Sequence, residues 1–371
     1  MMYRTIKKLY FEPSSRCNLN CAMCFRNSWI GETHGDLEMR LFYKALKDEE
    51  ALRDTHTIFF GGMGEPLVHP CIFEMIRCSK EQGKRVELIT NGTMLTPEVS
   101  RKLVAAGLDK LWVSIDSFEA EQYEQLQRGS KFALITRQIR EFSRVRQNTE
   151  TELGISFVLM KSNLPQLMHM QRYCCEIGAD DVNLSHMIPN TEDVVEDTLW
   201  QFTENAQTLD EFRKPIVARF RFQTTDFDKL YGQNPIVSMM NEKMELLWRG
   251  KVPEREKDRC RFVAEGNCFI RWDGAVTSCM GLLHSAETYL DHEKRMVWHH
   301  AFGNLKEQPL HAIWNSEEYR AFRKRVMEFD FSPCINCGGC DLREENQTDC
   351  VGSPAPTCGA CLWGQGCIRC P

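Results

Sequence analysis

The sequence has no apolar run of membrane-spanning length. It has no secretory signal either, because Arg4, Lys7 and Lys8 interrupt the only N-terminal stretch that could serve as one. A cytoplasmic protein with no membrane partner is expected. Positive charge is not in excess: 46 Lys and Arg stand against 52 Asp and Glu, a formal net charge of −6. Nucleic-acid binders usually carry a basic footprint, so that partner class is disfavoured. Internal repeats and low-complexity segments are also missing. At 371 residues and 42% hydrophobic content the chain can build one large domain and a smaller one, which excludes a disordered or fibrous protein.

Cysteine is the exception to this scarcity. There are 18, and in a large chain without a secretory signal they point to metal ligation rather than disulfides. Cys71, Cys78, Cys174 and Cys175 are scattered over predicted helices and read as small buried hydrophobes. Eleven lie between Cys260 and Cys370, marking the C-terminal third as a metal-bound module that draws folding energy from its metals. The remaining three form Cys17-x3-Cys21-x2-Cys24, directly after an N-terminal apolar stretch.

Iron–sulfur clusters are normally held by four thiolates. This loop supplies three, which would leave one iron of a [4Fe-4S] cube open. An open iron can chelate the amine and carboxylate of a small molecule such as S-adenosylmethionine. One electron passed to the sulfonium would then release a carbon radical able to remove hydrogen from unactivated C–H bonds. A structural zinc site completed by a residue such as His34 is the alternative, and spacing alone leaves both open.

From residue 6 to about 190, short apolar runs alternate with amphipathic stretches. The runs are Ile6–Glu12, Thr57–Gly61, Val86–Thr90, Leu111–Asp116, Ile155–Met160 and Val182–His186. Between them, Met39–Leu52, Ile72–Gln82, Pro97–Ala106, Phe132–Arg146 and Leu164–Glu176 read as helices. This alternation implies βαβ units and a parallel sheet, and six units suit an open, partial barrel. The predicted fold is α/β, a partial (β/α)6 TIM-like barrel with a C-terminal cysteine-rich iron–sulfur domain. The expected boundaries are 1–215 for the barrel, 216–258 for a connecting segment and 259–371 for the cysteine-rich domain. Within the connection, Leu199–Phe212 reads as a helix and Val217–Thr224 as a strand, with loops at Asn234-Pro235 and Lys251–Arg259.

Chemistry in parallel barrels sits at the C-terminal strand ends. Here those ends carry Glu12-Pro-Ser-Ser, Gly61-Gly-Met-Gly-Glu-Pro66, Thr90-Asn-Gly92, Ser114-Ile-Asp116 and Ser185-His186. Glycine permits close backbone approach to a ligand, although a glycine cluster alone is more often an ordinary turn. Asp116 and Ser114 suit ribose hydroxyls or, equally, a helix cap. His186 ends a strand and is a lesser substrate-contact candidate. In the C-terminal third, Asp273-Gly274 signals a hairpin that would bring Cys268 and Cys279 together. Ser316–Glu328 reads as a helix with Arg320–Arg325 on its wet side, and His299-His300 as a solvated loop pair.

Taken in order across roughly half of the chain, these motifs resemble the radical S-adenosylmethionine (radical SAM) superfamily. The resemblance implies that Cys17, Cys21 and Cys24 are the catalytic ligands of the cluster that binds S-adenosylmethionine. It implies that Gly62, Gly64 and Glu65 contact the methionine moiety, with Asn91 in the same cofactor-binding set and Ser114 or Asp116 at the ribose. Met23 stands where an aromatic residue is usual, and Met63 is an extra residue in the glycine motif; neither change removes a ligand. Cys260-x13-Gly274-x4-Cys279 and His311–Arg320 resemble the SPASM extension of that superfamily. Two auxiliary [4Fe-4S] clusters are therefore implied. Cys260, Cys268, Cys279 and Cys350 are allocated to one, and Cys334, Cys337 and Cys340 to the other. Its fourth ligand would come from Cys358, Cys361, Cys367 and Cys370, which could equally hold a third metal.

SPASM-type clusters usually accompany enzymes that modify peptides or proteins. Cys17 lies too near the start for a preceding leader-binding domain, so a folded protein, a small molecule or a peptide presented in trans is the expected substrate. The tail from Cys358 to Pro371, with the Gly-Met-Gly-Glu-Pro turn, resembles the maturases of tungsten-containing aldehyde ferredoxin oxidoreductases. The expected function is a radical maturase acting on such an oxidoreductase or its cofactor, charged by reduced flavodoxin or ferredoxin. A peptide- or protein-modifying SPASM enzyme is the alternative, and a non-catalytic metal or electron-transfer protein the lesser one.

Overall fold

The computed structural model describes residues 5–199, 218–221, 260–290, 293–332, 341–352, 356–359, 361–364 and 368. Outside them lie Cys334, Cys337, Cys340, Cys367 and Cys370, the expected loops at 234–235 and 251–259, and all but the first residue of the expected helix Leu199–Phe212.

Six strands run parallel in chain order: β1 (Lys8–Phe11), β2 (Thr57–Phe60), β3 (Arg85–Thr90), β4 (Lys110–Ser114), β5 (Glu152–Leu159) and β6 (Asp181–His186). Each pair is joined through helical segments, including Met39–Leu46, Ile72–Glu81, Pro97–Ala105, Phe132–Val145 and Leu167–Ile177. Local chemistry places their ends. Thr96 caps the helix that Pro97 opens, its hydroxyl accepting the Val99 N–H at 3.2 Å. Gly178, at φ 71°, closes Leu167–Ile177 in the left-handed conformation that glycine adopts freely.

The sheet is larger than the six-strand expectation. β7 (Ala218–Arg221) pairs antiparallel with β6. From the C-terminal third, β8 (Asn267–Ile270) pairs parallel with the other side of β1, Leu9 opposite Cys268. β9 (Ala275–Thr277) then folds back on β8, as the Asp-Gly turn predicts. A separate hairpin joins β10 (Ala286–Leu290) to β11 (Glu293–Val297), and β12 (Gly303–Asn304) pairs with β9. The cysteine-rich third is thus continuous with the barrel sheet. Among the described residues no helix is long and apolar enough to cross a membrane.

Strand side chains alternate between two faces. Leu9, Phe11, Ile58, Phe60, Leu111 and Val113 pack outward against Phe42, Ile76, Ile139 and Phe142 of the helices. Tyr10, Phe59, Trp112 and Phe269 point the other way and form an inner aromatic cluster with Phe262 and Leu283. At its heart Tyr10 stacks on Phe269 with ring centroids 4.2 Å apart. Toward the N-terminal strand ends the inner face is charged: fully buried Lys110 bonds Asp181 at 2.5 Å and Glu152 at 3.1 Å, beneath the Trp112 ring. This ionic floor leaves the opposite, C-terminal edge for the site.

Three expectations change. Arg323 is 3% exposed and lies over Trp314 at 3.8 Å, because Tyr319, Phe322, Arg323 and Val326 share the buried face of their helix. His299 and His300 are half-buried, His299 bonding the Leu282 carbonyl and His300 facing Glu318. Of the four scattered cysteines only Cys174 is buried, Cys175 being exposed and Cys71 and Cys78 intermediate.

Candidate active site

The loop carrying Cys17, Cys21 and Cys24 leaves the C-terminal end of β1, and all three thiols are partly exposed. Its backbone is pinned from several sides. The Asn20 and Ala22 N–H groups donate to Arg128 O and Leu126 O, Asn27 Nδ2 donates to Cys21 O, and Asn190 Nδ2 donates to Cys24 O. Cys17 Sγ accepts from Leu19 N–H at 3.4 Å and from Asn91 Nδ2 at 3.6 Å. Burial first, then the neighbouring Cys24, Asp116 and Cys17 charges, push the Cys21 thiol up, and burial raises Cys24.

The glycine-rich turn after β2 lies against this loop. A Cβ on Gly64 would stand 2.1 Å from Ser14 O and 2.6 Å from Arg16 O, and Glu65 N–H donates to Arg16 O at 2.8 Å. Gly62, at φ +145°, has the Glu12 side chain where its own would be. Glu65 turns inward: its carboxylate accepts from Leu67 N–H, Thr90 Oγ1 and Asn91 N–H at 3.0, 2.7 and 2.7 Å. It therefore ties the glycine turn to the Thr-Asn-Gly turn rather than facing outward, and burial raises its pKa. Asn91 completes the junction by bonding Asn18 Oδ1 at 3.0 Å.

Ser114 is half-buried at the end of β4. Asp116, two residues on, is 4% exposed and accepts from Val158 N–H and Gln127 Nε2, and burial pushes it up to about 7. His186 is buried at the end of β6, and burial pushes it down to about 4. His34 stacks on Trp29. Among the described residues no three His, Cys, Asp or Glu side chains converge on one ion position.

The donor set fits a cluster. Burial raises the Cys21 and Cys24 thiols, and bound iron would supply the positive charge that lets thiolates form there. Cys17, Cys21 and Cys24 would hold such a cluster together. N–H groups aimed at a sulfur, as at Cys17, are the contacts by which proteins tune such clusters.

A second cysteine set lies in the C-terminal third. Cys260, which burial and Cys361 push up to about 12, neighbours Cys279, Cys358 and Cys361 closely enough for their charges to act on one another. Cys260, Cys279 and Met63 of the glycine turn all pack against the inner aromatic cluster. Cys268 does not join them. Its strand alternation sends it to the helix side, into the outer core beside Tyr319 and Arg323, 3.9 Å from Thr277 O. Cys350 is exposed and bonds Ser332 Oγ at 3.3 Å. Among the described cysteines, Cys260 and Cys279 thus neighbour Cys358 and Cys361, whereas Cys268 and Cys350 lie elsewhere.

One group was not assigned a role from sequence. His284 is fully buried between two carboxylates: Nε2 faces Glu12 Oε1 and Oε2 at 2.9 and 3.0 Å, and Nδ1 faces Glu32 Oε2 at 2.9 Å. Trp29 stacks on its ring at 4.0 Å. Arg271 bonds Glu32 at 3.1 Å and Asp273 at 2.6 Å. Glu12 also accepts the Met63 N–H at 3.0 Å. A carboxylate ending an otherwise apolar strand was the available signal.

Comparison with known proteins agrees with this geometry. The radical SAM superfamily profile matches residues 11–161, and that of the SPASM iron–sulfur cluster-binding domain matches residues 260–341. The chain is 31% identical to the tungsten-containing aldehyde ferredoxin oxidoreductase cofactor-modifying protein of Pyrococcus furiosus, over 99% of this chain and 97% of that protein. Among solved structures, Streptococcus suis SuiB bound to S-adenosylmethionine aligns at TM-score 0.57 and 14% identity over 91% of this chain and 72% of that one. AnSMEcpe with bound AdoMet aligns at TM-score 0.58 and 16% identity, over 89% and 86% respectively.

Proposed function

The chain belongs to the radical SAM superfamily with a SPASM domain, and from that premise we propose that it matures a tungsten-containing oxidoreductase or that enzyme's cofactor. The observation that carries the substrate reading is the end-to-end match to a cofactor-modifying protein, with no large segment unaccounted for on either side.

In this reading Cys17, Cys21 and Cys24 hold the cluster that binds S-adenosylmethionine. The backbone of Gly62–Glu65 receives the methionine end, while Asn91, Ser114 and Asp116 line the remainder. The bound cluster and S-adenosylmethionine supply a one-electron carbon–sulfur cleavage whose radical product removes hydrogen from substrate. The chain's own residues fix where that happens. Glu65 and Asn91 lock two turns onto the cysteine loop, so the three motifs keep one mutual geometry. Asp116 is held by Val158 N–H and Gln127 Nε2, which fixes its carboxyl beside the end of β4. We assign Cys260, Cys279, Cys358 and Cys361 to one auxiliary cluster, which would take an electron from the substrate. Reduced ferredoxin or flavodoxin is the proposed donor.

The test is genetic and biochemical. Deleting the gene in its host should leave the tungsten oxidoreductase polypeptide present but inactive, with activity restored by the wild-type gene and not by a Cys17→Ala copy. Full oxidoreductase activity in the deletion strain would remove this substrate from consideration.

A further inference from the structure

We propose that His284 of the C-terminal domain is a positioning residue for S-adenosylmethionine, an imidazolium clamped between Glu12 and Glu32 that fixes the glycine-rich turn from below. The proposal rests on the reading that this turn receives the methionine end.

The geometry demands charge on the ring. Both nitrogens face carboxyl oxygens at hydrogen-bond distance, so with Glu12 and Glu32 ionised both nitrogens donate. A neutral imidazole donates from one nitrogen only and would turn a lone pair on a carboxylate. Water cannot take over the lost contact, because the Glu12 and His284 side chains are 0% exposed and Glu32 is 9% exposed.

The link from His284 to the turn is short. The Glu12 carboxylate occupies the space under Gly62, 2.9 Å from where a Cβ would sit, and accepts the next residue's N–H. That carboxylate bonds Met63 N–H and His284, so moving the ring loosens Glu12 and lets the turn relax. From the other side, Glu32 is held by Ser285 N–H at 2.7 Å and by Arg271. The ring is further fixed by Trp29, five residues after Cys24. One side chain of the cysteine-rich domain thus touches the supports of both the glycine turn and the cysteine loop.

The charges facing the clamp are Glu12 from the end of β1, Glu32 from the loop after the cysteines, and Arg271 from the β8–β9 turn with Asp273 behind it. His299 lies within range of Arg271 and Glu32. Burial disfavours the imidazolium, but the two carboxylates outweigh it and raise the His284 pKa. A raised histidine contributes fully below its ordinary value and loses that contribution as pH rises through the folded one. The clamp therefore tightens as pH falls and loosens as pH rises.

The experiment measures S-adenosylmethionine binding to anaerobically reconstituted, unreduced full-length protein at pH 6.5 and pH 9, with iron content checked at both. Glu12→Gln keeps the side-chain shape and an acceptor for Met63 while abolishing the charged pairing. The ratio of the Glu12→Gln to the wild-type dissociation constant should fall by about fivefold or more between the two pH values. Using the ratio removes any titration of the ligand itself. His284→Gln should weaken binding by a similar factor at pH 6.5. A ratio that does not change with pH, or wild-type affinity in His284→Gln at pH 6.5, would overturn the proposal. Should His284→Gln fail to fold, the Glu12→Gln ratio decides alone. Gly64→Ala separates the two levels: wild-type affinity there would refute the glycine-turn reading and the clamp with it. Lost affinity there combined with a pH-independent ratio would refute the clamp only.

Discussion

Adding one methyl group at Gly64 should disable the site without removing any ligand. The new Cβ would stand 2.1 Å from Ser14 O, 2.6 Å from Arg16 O and 2.7 Å from Ser15 C. Carbon contacts are comfortable from about 3.5 Å, so the turn must withdraw by about 1 Å. All three obstacles are backbone atoms, so no side-chain rotation relieves them. Withdrawal breaks the 2.8 Å bond from Glu65 N–H to Arg16 O, worth about 1 kcal/mol net. Overpacking adds about 1–3 kcal/mol, giving roughly 2–4 kcal/mol in all. The larger effect is on chemistry, because a 1 Å misplacement of a substrate-positioning group costs about 100-fold in rate. The assay is 5′-deoxyadenosine formation by reconstituted Gly64→Ala protein with dithionite and S-adenosylmethionine. The expected rate is about 100-fold below wild type at equal iron content. A rate within about threefold of wild type would refute the claim that the turn and the cysteine loop work as one packed unit.

Cys361→Ala should lower iron per chain and alter the auxiliary-cluster EPR signal, whereas Cys268→Ala should leave both at wild-type values; equal iron loss in the two would contradict the reassignment. Lys110→Met leaves Asp181 and Glu152 without their buried cation and should destabilise the fold by about 3–5 kcal/mol, read as a lower midpoint in denaturant. His69 donates from Nε2 to Leu37 O and accepts Cys71 N–H at Nδ1, so it is held neutral and its pKa is lowered by burial. Its contribution is present above the ordinary histidine value of 6.5 and is lost as pH falls below it, with a slope of up to about 1.4 kcal/mol per pH unit. His69→Gln should flatten that part of the stability profile between pH 7 and 5.5; an unchanged profile would contradict the assignment.

Much of the fold was legible because its signals are local. Apolar runs separated by amphipathic stretches located all six parallel strands, and Thr96-Pro97 and Asp273-Gly274 marked a helix start and a hairpin. The pairing of β8 with β1 was not legible, since it joins Leu9 to Cys268 and no local pattern specifies a contact across that separation. At the site, spacing brought together the cysteine loop and the turns after β2 and β3, whose residues meet side by side. Spacing does not say which face Cys268 takes; strand alternation sends its thiol to the helix side. Arg323 could have been read correctly from its i, i+4, i+7 relation to Tyr319 and Val326. The Glu12–His284–Glu32 clamp spans three distant segments, and each member alone is an unremarkable residue.

The measurement closest to the central claim compares wild-type protein with the Cys17/Cys21/Cys24→Ala triple variant. Both are reconstituted anaerobically with iron and sulfide, then given dithionite and S-adenosylmethionine. The account predicts 5′-deoxyadenosine from the wild type and none from the variant, whose auxiliary iron remains in place. No 5′-deoxyadenosine from iron-replete wild-type protein, or equal amounts from the variant, would contradict it.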